Sequence, residues 1–261
     1  MKIKQLGILS GVALAATLGT AGAAQAALVV VPTGLAPGDQ YRLVFVTAGA
    51  RDATSTNIND YNTFVTNQAT GGTPGIDTAL DTALNGAGFD LSTITWKAIG
   101  STSAVDARDN TGTNPSSTGV PIYLIDGNRV ANNNADLWDG QLQHPINLNN
   151  LDISSLSHVW TGSNDSGQGF ANWGSGLQLQ LGSSSIFGFM AGWSGAIGGD
   201  WMAFTPRARS DASPYMYAMS SVLTVPGGNQ PAVTVPEPAS LLGYITLGGL
   251  MLGGAVRKAR K

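Results

Sequence analysis

Tyr41-Arg-Leu-Val-Phe-Val-Thr47 is followed after ten residues by Ile58, Tyr61, Phe64, Val65 and Ala69, and this pair of patterns decides the fold class. The first stretch is continuous, β-branched and aromatic, which predicts a strand. In the second the apolar residues recur every three or four positions, which predicts a helix over 56–69 with Thr56 or Asn57 as its N-cap. Ile76, Ala79, Leu80, Ala83 and Leu84 repeat that spacing and predict a second helix over 76–85, stopped by Gly86 and Gly88. Further on the signals are strands and turns. The stretches 94–99, 121–125, 177–181, 186–190 and 215–225 read as extended, and Asp126-Gly127 and Asp139-Gly140 read as turns. Early helices followed by strands predict an α+β domain over 27–225, and 226–234 reads as a linker.

Between residues 100 and 176 the chain is mainly Gly, Asn, Asp, Ser and Thr, with tryptophans spaced through it. Long loops in a compact domain are functional or are pinned by buried aromatics. Tryptophans 96, 138, 160, 173, 193 and 201 serve either purpose: a ring in the core, or an exposed ring on which the C–H face of a sugar stacks. Trp173, in Asn-Trp-Gly, and Trp193, in Gly-Trp-Ser, are the candidates for exposure. Asp106 and Asp109, then Asp136 and Asp139, lie in Asn/Asp-rich clusters. Such clusters form Asx-turns and caps, or supply oxygens to calcium, which takes six to eight. No EF-hand is encoded, because its last ligand is a glutamate and the domain has none.

Composition excludes several chemistries. The 261-residue chain has no cysteine, so disulfides, thiolate metal sites and cysteine nucleophiles are ruled out. Residues 27–235 carry seven basic side chains and 15 aspartates, a net of −8, which excludes the basic surface a nucleic-acid partner needs. His144 and His158 lack the spacing of a zinc motif, and no nucleophile elbow, phosphate loop or dinucleotide fingerprint occurs. Asp165-Ser-Gly167 has no second triplet to share a proton with, as an aspartic-protease dyad requires. Carboxylate catalysis would need two aspartates about 5–10 Å apart across a cleft.

The two ends read as addresses. Lys2 and Lys4, an apolar run from Leu6 to Leu18, and Ala24-Gln25-Ala26 form a secretory signal peptide over 1–26, with signal peptidase as its partner. At the other end, Val235-Pro236-Glu237-Pro238 precedes an uncharged apolar stretch, a transmembrane span of about 239–256. Arg257, Lys258, Arg260 and Lys261 follow in a basic tail over 257–261. The basic cluster keeps that end cytoplasmic. Pro236 and Pro238 hold Glu237, the only glutamate in the chain, in an extended stretch beside the membrane.

This tripartite end resembles the PEP-CTERM sorting signal of Gram-negative bacteria. The resemblance implies recognition of Pro236, Glu237 and Pro238 by an exosortase-like processing enzyme, a transient membrane anchor, and release to the cell surface or extracellular matrix of an exopolysaccharide-producing cell. The central domain resembles an extracellular family of C-type-lectin-like fold whose own function is unassigned. The likeness rests on Phe45-Val-Thr47, Trp96-Lys-Ala98, Ala104-Val-Asp-Ala-Arg-Asp109, Pro121-Ile-Tyr-Leu-Ile-Asp-Gly127, Asp136-Leu-Trp-Asp-Gly140, Val159-Trp-Thr-Gly162, Trp173, Trp193 and the 215–223 strand. It implies a twisted antiparallel sheet with long loops, and sugar binding, often through calcium. The Glu-Pro-Asn and Trp-Asn-Asp calcium triplets and the cysteine pairs of such relatives are absent here. The resulting expectation is a non-enzymatic exported protein that binds exopolysaccharide or another matrix component. The alternatives are a structural or adhesive matrix protein without a small ligand, and a secreted glycan hydrolase using aspartates.

Overall fold

The computed structural model describes residues 28–72, 78–151, 153–172, 176–208 and 214–227. The stretch expected to be a signal peptide, most of the expected linker, the expected sorting segment with Pro236, Glu237 and Pro238, and Trp173 lie outside the described residues. The fold is α+β, a nine-stranded twisted sheet with few helices. Among the described residues no helix is long and apolar enough to cross a membrane.

The opening stretch forms β1 (Gln40–Val46), the centre of the sheet. Its side chains alternate between two cores. Tyr41, Leu43 and Phe45 enter one core, and Val44 and Val46 enter the other. A strand buried on both faces reads as a continuous apolar run, which is why no alternation is visible in its sequence.

Two helices cover the first face. Helix α1 (Ile58–Thr70) buries Ile58, Tyr61, Val65 and Ala69. Asn57 caps it by accepting a hydrogen bond from the Asn59 N–H at 3.1 Å, and Gly71 ends it in the left-handed conformation. Helix α2 (Ala79–Gly86) is capped by the Thr78 hydroxyl, which accepts from the Asp81 N–H at 3.1 Å. It therefore starts later than the apolar spacing predicts, at its cap. The second face is covered by loops, which contribute Ala107, Leu137, Trp138, Leu142, Ile146, Trp201 and Met202. Two single helical turns, α3 (Ala107–Asn110) and α4 (Asn134–Leu137), interrupt them.

The remaining strands are β2 (Trp96–Ala98), β3 (Ile122–Leu124), β4 (Arg129–Ala131), β5 (His158–Trp160), β6 (Ala171–Asn172), β7 (Leu177–Gln178), β8 (Phe189–Trp193), β9 (Thr205–Arg207), β10 (Tyr215–Ser220) and β11 (Leu223–Thr224). The main order is β4-β3-β1-β10-β5-β8-β9, with β11 on β1 and β2 on β10, while β6 and β7 form a separate hairpin. The sheet is mixed, not antiparallel: β1 runs parallel to β3, and β10 parallel to β5. Parallel partners need a long crossover, and here the helices, loops and other strands between the paired segments supply it. Strand direction leaves no trace in a residue's own composition.

The stretch 186–190 also departs from its reading. Strand β8 starts only at Phe189, and Ile186 and Phe187 sit in a turn, 89% and 63% exposed. Gly188 sets that boundary. Its φ is +88°, and a Cβ there would lie 1.8 Å from the Arg207 carbonyl oxygen.

Candidate functional site

Four of the tryptophans are buried parts of the core. Trp96 meets Phe45 edge-on at 5.2 Å between ring centroids, and Trp160 meets Phe189 at 5.7 Å. Trp138 stacks on Trp201 at 5.5 Å beneath the loop layer. The indole N–H of Trp160 donates to the Arg51 carbonyl at 3.0 Å and that of Trp138 to the Thr113 carbonyl at 3.0 Å. These rings pin the polar loops in a domain without disulfides.

Trp193 has a different fate. It ends β8, directly opposite His158 at the start of β5. The side chains of Phe189, Ala191 and Trp193 alternate to one face of β8; the first two are buried and Trp193 is only half-buried. Its ring meets His158 edge-on at 5.2 Å and lies 6.1 Å from Phe204, which is 5.7 Å from His158. The three rings form a platform. Phe204 is 48% exposed, and the neighbouring Leu156 is 60% exposed. A groove of about 450 Å³ runs beside it, lined by Leu156, His158, Trp193, Arg207, Pro214 and Tyr215.

Rigid backbone holds the platform. The Ser157 N–H donates to the Ser194 hydroxyl at 2.8 Å, that hydroxyl donates to the Ser155 carbonyl at 2.6 Å, and the Ser194 N–H donates to the Ser157 carbonyl at 3.0 Å. These bonds clamp the ends of β5 and β8 together. The Phe204 N–H donates to the Ala191 carbonyl at 2.9 Å. A Cβ on Gly195 would sit 2.9 Å from both the Trp193 indole nitrogen and the Leu156 side chain, so a larger residue there would have to displace one of them. Glycine is required at 192, where a Cβ would lie 1.8 Å from the Trp201 carbonyl oxygen.

A second depression, about 720 Å³, is lined by Leu177, Gln178, Ser185, Ile186, Phe187 and Pro206. Pro206 and Arg207 are neighbours on β9, so the two concavities meet opposite faces of that strand.

The aspartates singled out by the sequence hold loops. Asp106 accepts from the Gly169 N–H at 2.8 Å and lies 3.9 Å from the Arg108 guanidinium. Asp109 accepts from the Asn114 amide at 2.7 Å. Asp136 accepts from the Asn132 N–H at 2.6 Å and the Gln143 amide at 2.9 Å. Asp139 accepts from the Gln141 N–H at 2.9 Å. Each carboxylate is used within its own turn or bridge. Among the described residues no three carboxylates or imidazoles converge. None of these aspartates lines the groove.

His158 and Phe204 carry no motif of their own. The signal that could have found them is indirect: His158 directly precedes Val159-Trp160, whose strand pairs with the one ending at Trp193. Compared with family models and with curated proteins, the chain matches none.

Proposed function

We propose that this chain is an exported surface or matrix protein whose C-type-lectin-like domain binds neutral polysaccharide by stacking it on Trp193, Phe204 and His158. The observation that carries this reading is the platform of three rings, partly in water, beside a groove of about 450 Å³. A sugar offers an apolar C–H face and a rim of hydroxyls, and a partly exposed aromatic surface pairs with the first. Hydroxyl and carbonyl groups of Ser157 and its neighbours at the groove are chemically suited to the second. The strongly acidic domain disfavours acidic glycans.

Export rests on the two ends of the sequence: a signal peptide over 1–26 and a PEP-CTERM-like sorting signal over 235–261, read by an exosortase-like enzyme. Fractionation of cells producing wild type and Glu237→Ala tests that part. Wild type is expected in the outer fraction at reduced mass, and the variant at full mass in the membrane. Identical fates for both would refute it.

Binding is tested with the full chain in mild detergent against dextran, galactomannan, hydroxyethyl cellulose and alginate, with calcium and with chelator. Binding to a neutral polymer, unchanged by chelator and weakened about 30-fold by Trp193→Ala, is expected if that ring is an anchor worth about 2 kcal/mol. Chelator-sensitive binding that survives Trp193→Ala would move the site to the aspartate loops. No binding to any polymer, together with self-association, would favour the structural or adhesive reading, for which the exposed Ile186 and Phe187 are the motivating surface.

A further inference from the structure

The larger of the two concavities is not used by the platform. It measures about 720 Å³, against about 450 Å³ for the groove beside Trp193. Both fall in the range of about 300–1,000 Å³ that ligand sites occupy. Its walls are the hairpin strand β7, the turn before β8 and the edge strand β9. Hydrogen bonds fix that turn. The Gly182 N–H donates to the Ala53 carbonyl at 2.8 Å, the Ser183 hydroxyl to the Gln178 carbonyl at 3.0 Å and the Phe187 N–H to the Ser185 hydroxyl at 3.2 Å. Gly188 then seats its far end against the Arg207 carbonyl. Phe187 is held in water by this arrangement, 63% exposed while it lines the depression. Gln178, Ser184 and Ser185 add an amide and two hydroxyls to the lining, and among the described residues no charged side chain joins them.

We infer that this depression is a second sugar subsite, so that one neutral polysaccharide chain runs from the platform round β9 and the domain prefers a polymer to a short sugar. The inference rests on the glycan-binding reading above and adds a chain length to it. An exposed ring among an amide and hydroxyls repeats the chemistry of the platform, a stacking surface for C–H groups beside hydrogen-bonding partners. The two concavities adjoin: Pro206 lines the depression and Arg207 the groove, and successive Cα atoms lie about 3.8 Å apart. Strand β9 is the last in the sheet order, so its outer edge is where a chain passes from one subsite to the other. The uncharged lining suits a neutral chain. A second copy of this domain is a poorer occupant. Two domains of net −8 repel each other. An edge strand of three residues centred on a proline is also blunted against the addition of another strand.

The full chain in mild detergent is titrated with isomalto-, manno- and cello-oligosaccharides, each as disaccharide and as hexasaccharide. Wild type is expected to bind the hexasaccharide of its preferred series about tenfold more tightly than the disaccharide, because the second subsite is engaged within one molecule. Phe187→Ser is expected to abolish that gain while leaving the disaccharide Kd within about twofold and, since the ring is exposed, leaving Tm unchanged. Phe187→Tyr keeps a ring and is expected to keep the gain. Trp193→Ala is expected to weaken both lengths. A gain that survives Phe187→Ser, or that Phe187→Tyr loses, overturns the subsite and leaves the platform standing. Equal affinity of wild type for both lengths does the same. Failure of wild type to bind either length overturns the glycan reading and the inference with it. Sedimentation without sugar tests the other occupant: monomers of wild type and of Phe187→Ser are expected, and a wild-type dimer that Phe187→Ser dissolves would assign the depression to a second copy and overturn the inference.

Discussion

Trp160 and Trp193 lie on adjacent strands, β5 and β8, on the same face of the sheet, yet one is fully buried and the other half exposed. The difference is the extent of the cover. Near Trp160 the face is closed by α1, the Arg51 backbone and Phe189. At the level of Trp193 the described residues leave the ring half-open, and it leans on His158 and Phe204. The fate of a tryptophan here is decided by its position along a strand relative to the end of a layer, and not by its neighbours in sequence. The first group of rings is part of the core; the second is the surface that the proposed function assigns to recognition.

The largest effect separates the two groups directly. Trp160→Ala removes a buried ring and its hydrogen bond, a loss of about 3–5 kcal/mol. For a domain of this size that lowers Tm by roughly 10 °C or more. Trp193→Ala leaves no closed cavity and is expected to move Tm by only a few degrees while weakening glycan binding. Calorimetry on both variants breaks the comparison if their Tm values fall together.

A second contrast lies in pH. Burial pushes the phenols of Tyr41, Tyr61 and Tyr217 well above their ordinary range. The folded state therefore holds these protons more tightly than the unfolded state does. Stability from this source is present below the unfolded value near 10 and falls as pH rises above it. Thermal melts from pH 8 to 11.5 are expected to show falling Tm beyond pH 10, and Tyr217→Phe should flatten that fall.

Much of the fold was legible. The strand at 41–47, the helix from Asn57 and the Asp126-Gly127 turn between β3 and β4 came from local patterns, because local forces set them. The parallel pairings did not, since direction depends on crossovers far along the chain. The site was half legible. Trp193 stands out in a Gly-rich stretch, but Phe204 and His158 join it only through the register of three strands. The aspartate clusters fit ligands and turns alike in the sequence, because an Asx-turn and a metal loop use the same residue types; the structure adds the hydrogen bonds by which they hold their loops.

Within the buried group the comparison sharpens further. Trp160 donates its indole N–H to a carbonyl, whereas the Trp201 indole nitrogen is buried with no hydrogen-bond partner among the described residues. Phenylalanine fills much of either space and lacks the N–H. At 160 it leaves the Arg51 carbonyl without its donor; at 201 it removes a polar group that is buried unsatisfied. Both variants lose ring area, so the difference between them isolates the polar term. Trp160→Phe is expected to be about 1 kcal/mol more destabilising than Trp201→Phe.

The smallest expected effect tests whether the loop aspartates belong to the structural group. Asp136 accepts two hydrogen bonds that tie its short helical turn to Asn132 and Gln143. Both are partly exposed, and Asp136→Ala is expected to cost about 1 kcal/mol, visible as a Tm shift of 2–4 °C. Asp136 lies outside the groove, so neutral-polysaccharide affinity should stay within twofold of wild type. If affinity instead falls tenfold while Tm stays put, the carboxylate contacts the ligand and the division between pinning loops and a recognising platform is wrong at this point. If Tm falls and affinity holds, the acidic loops are scaffolding, and the chain's recognition surface narrows to the rings that the cover of the sheet leaves open.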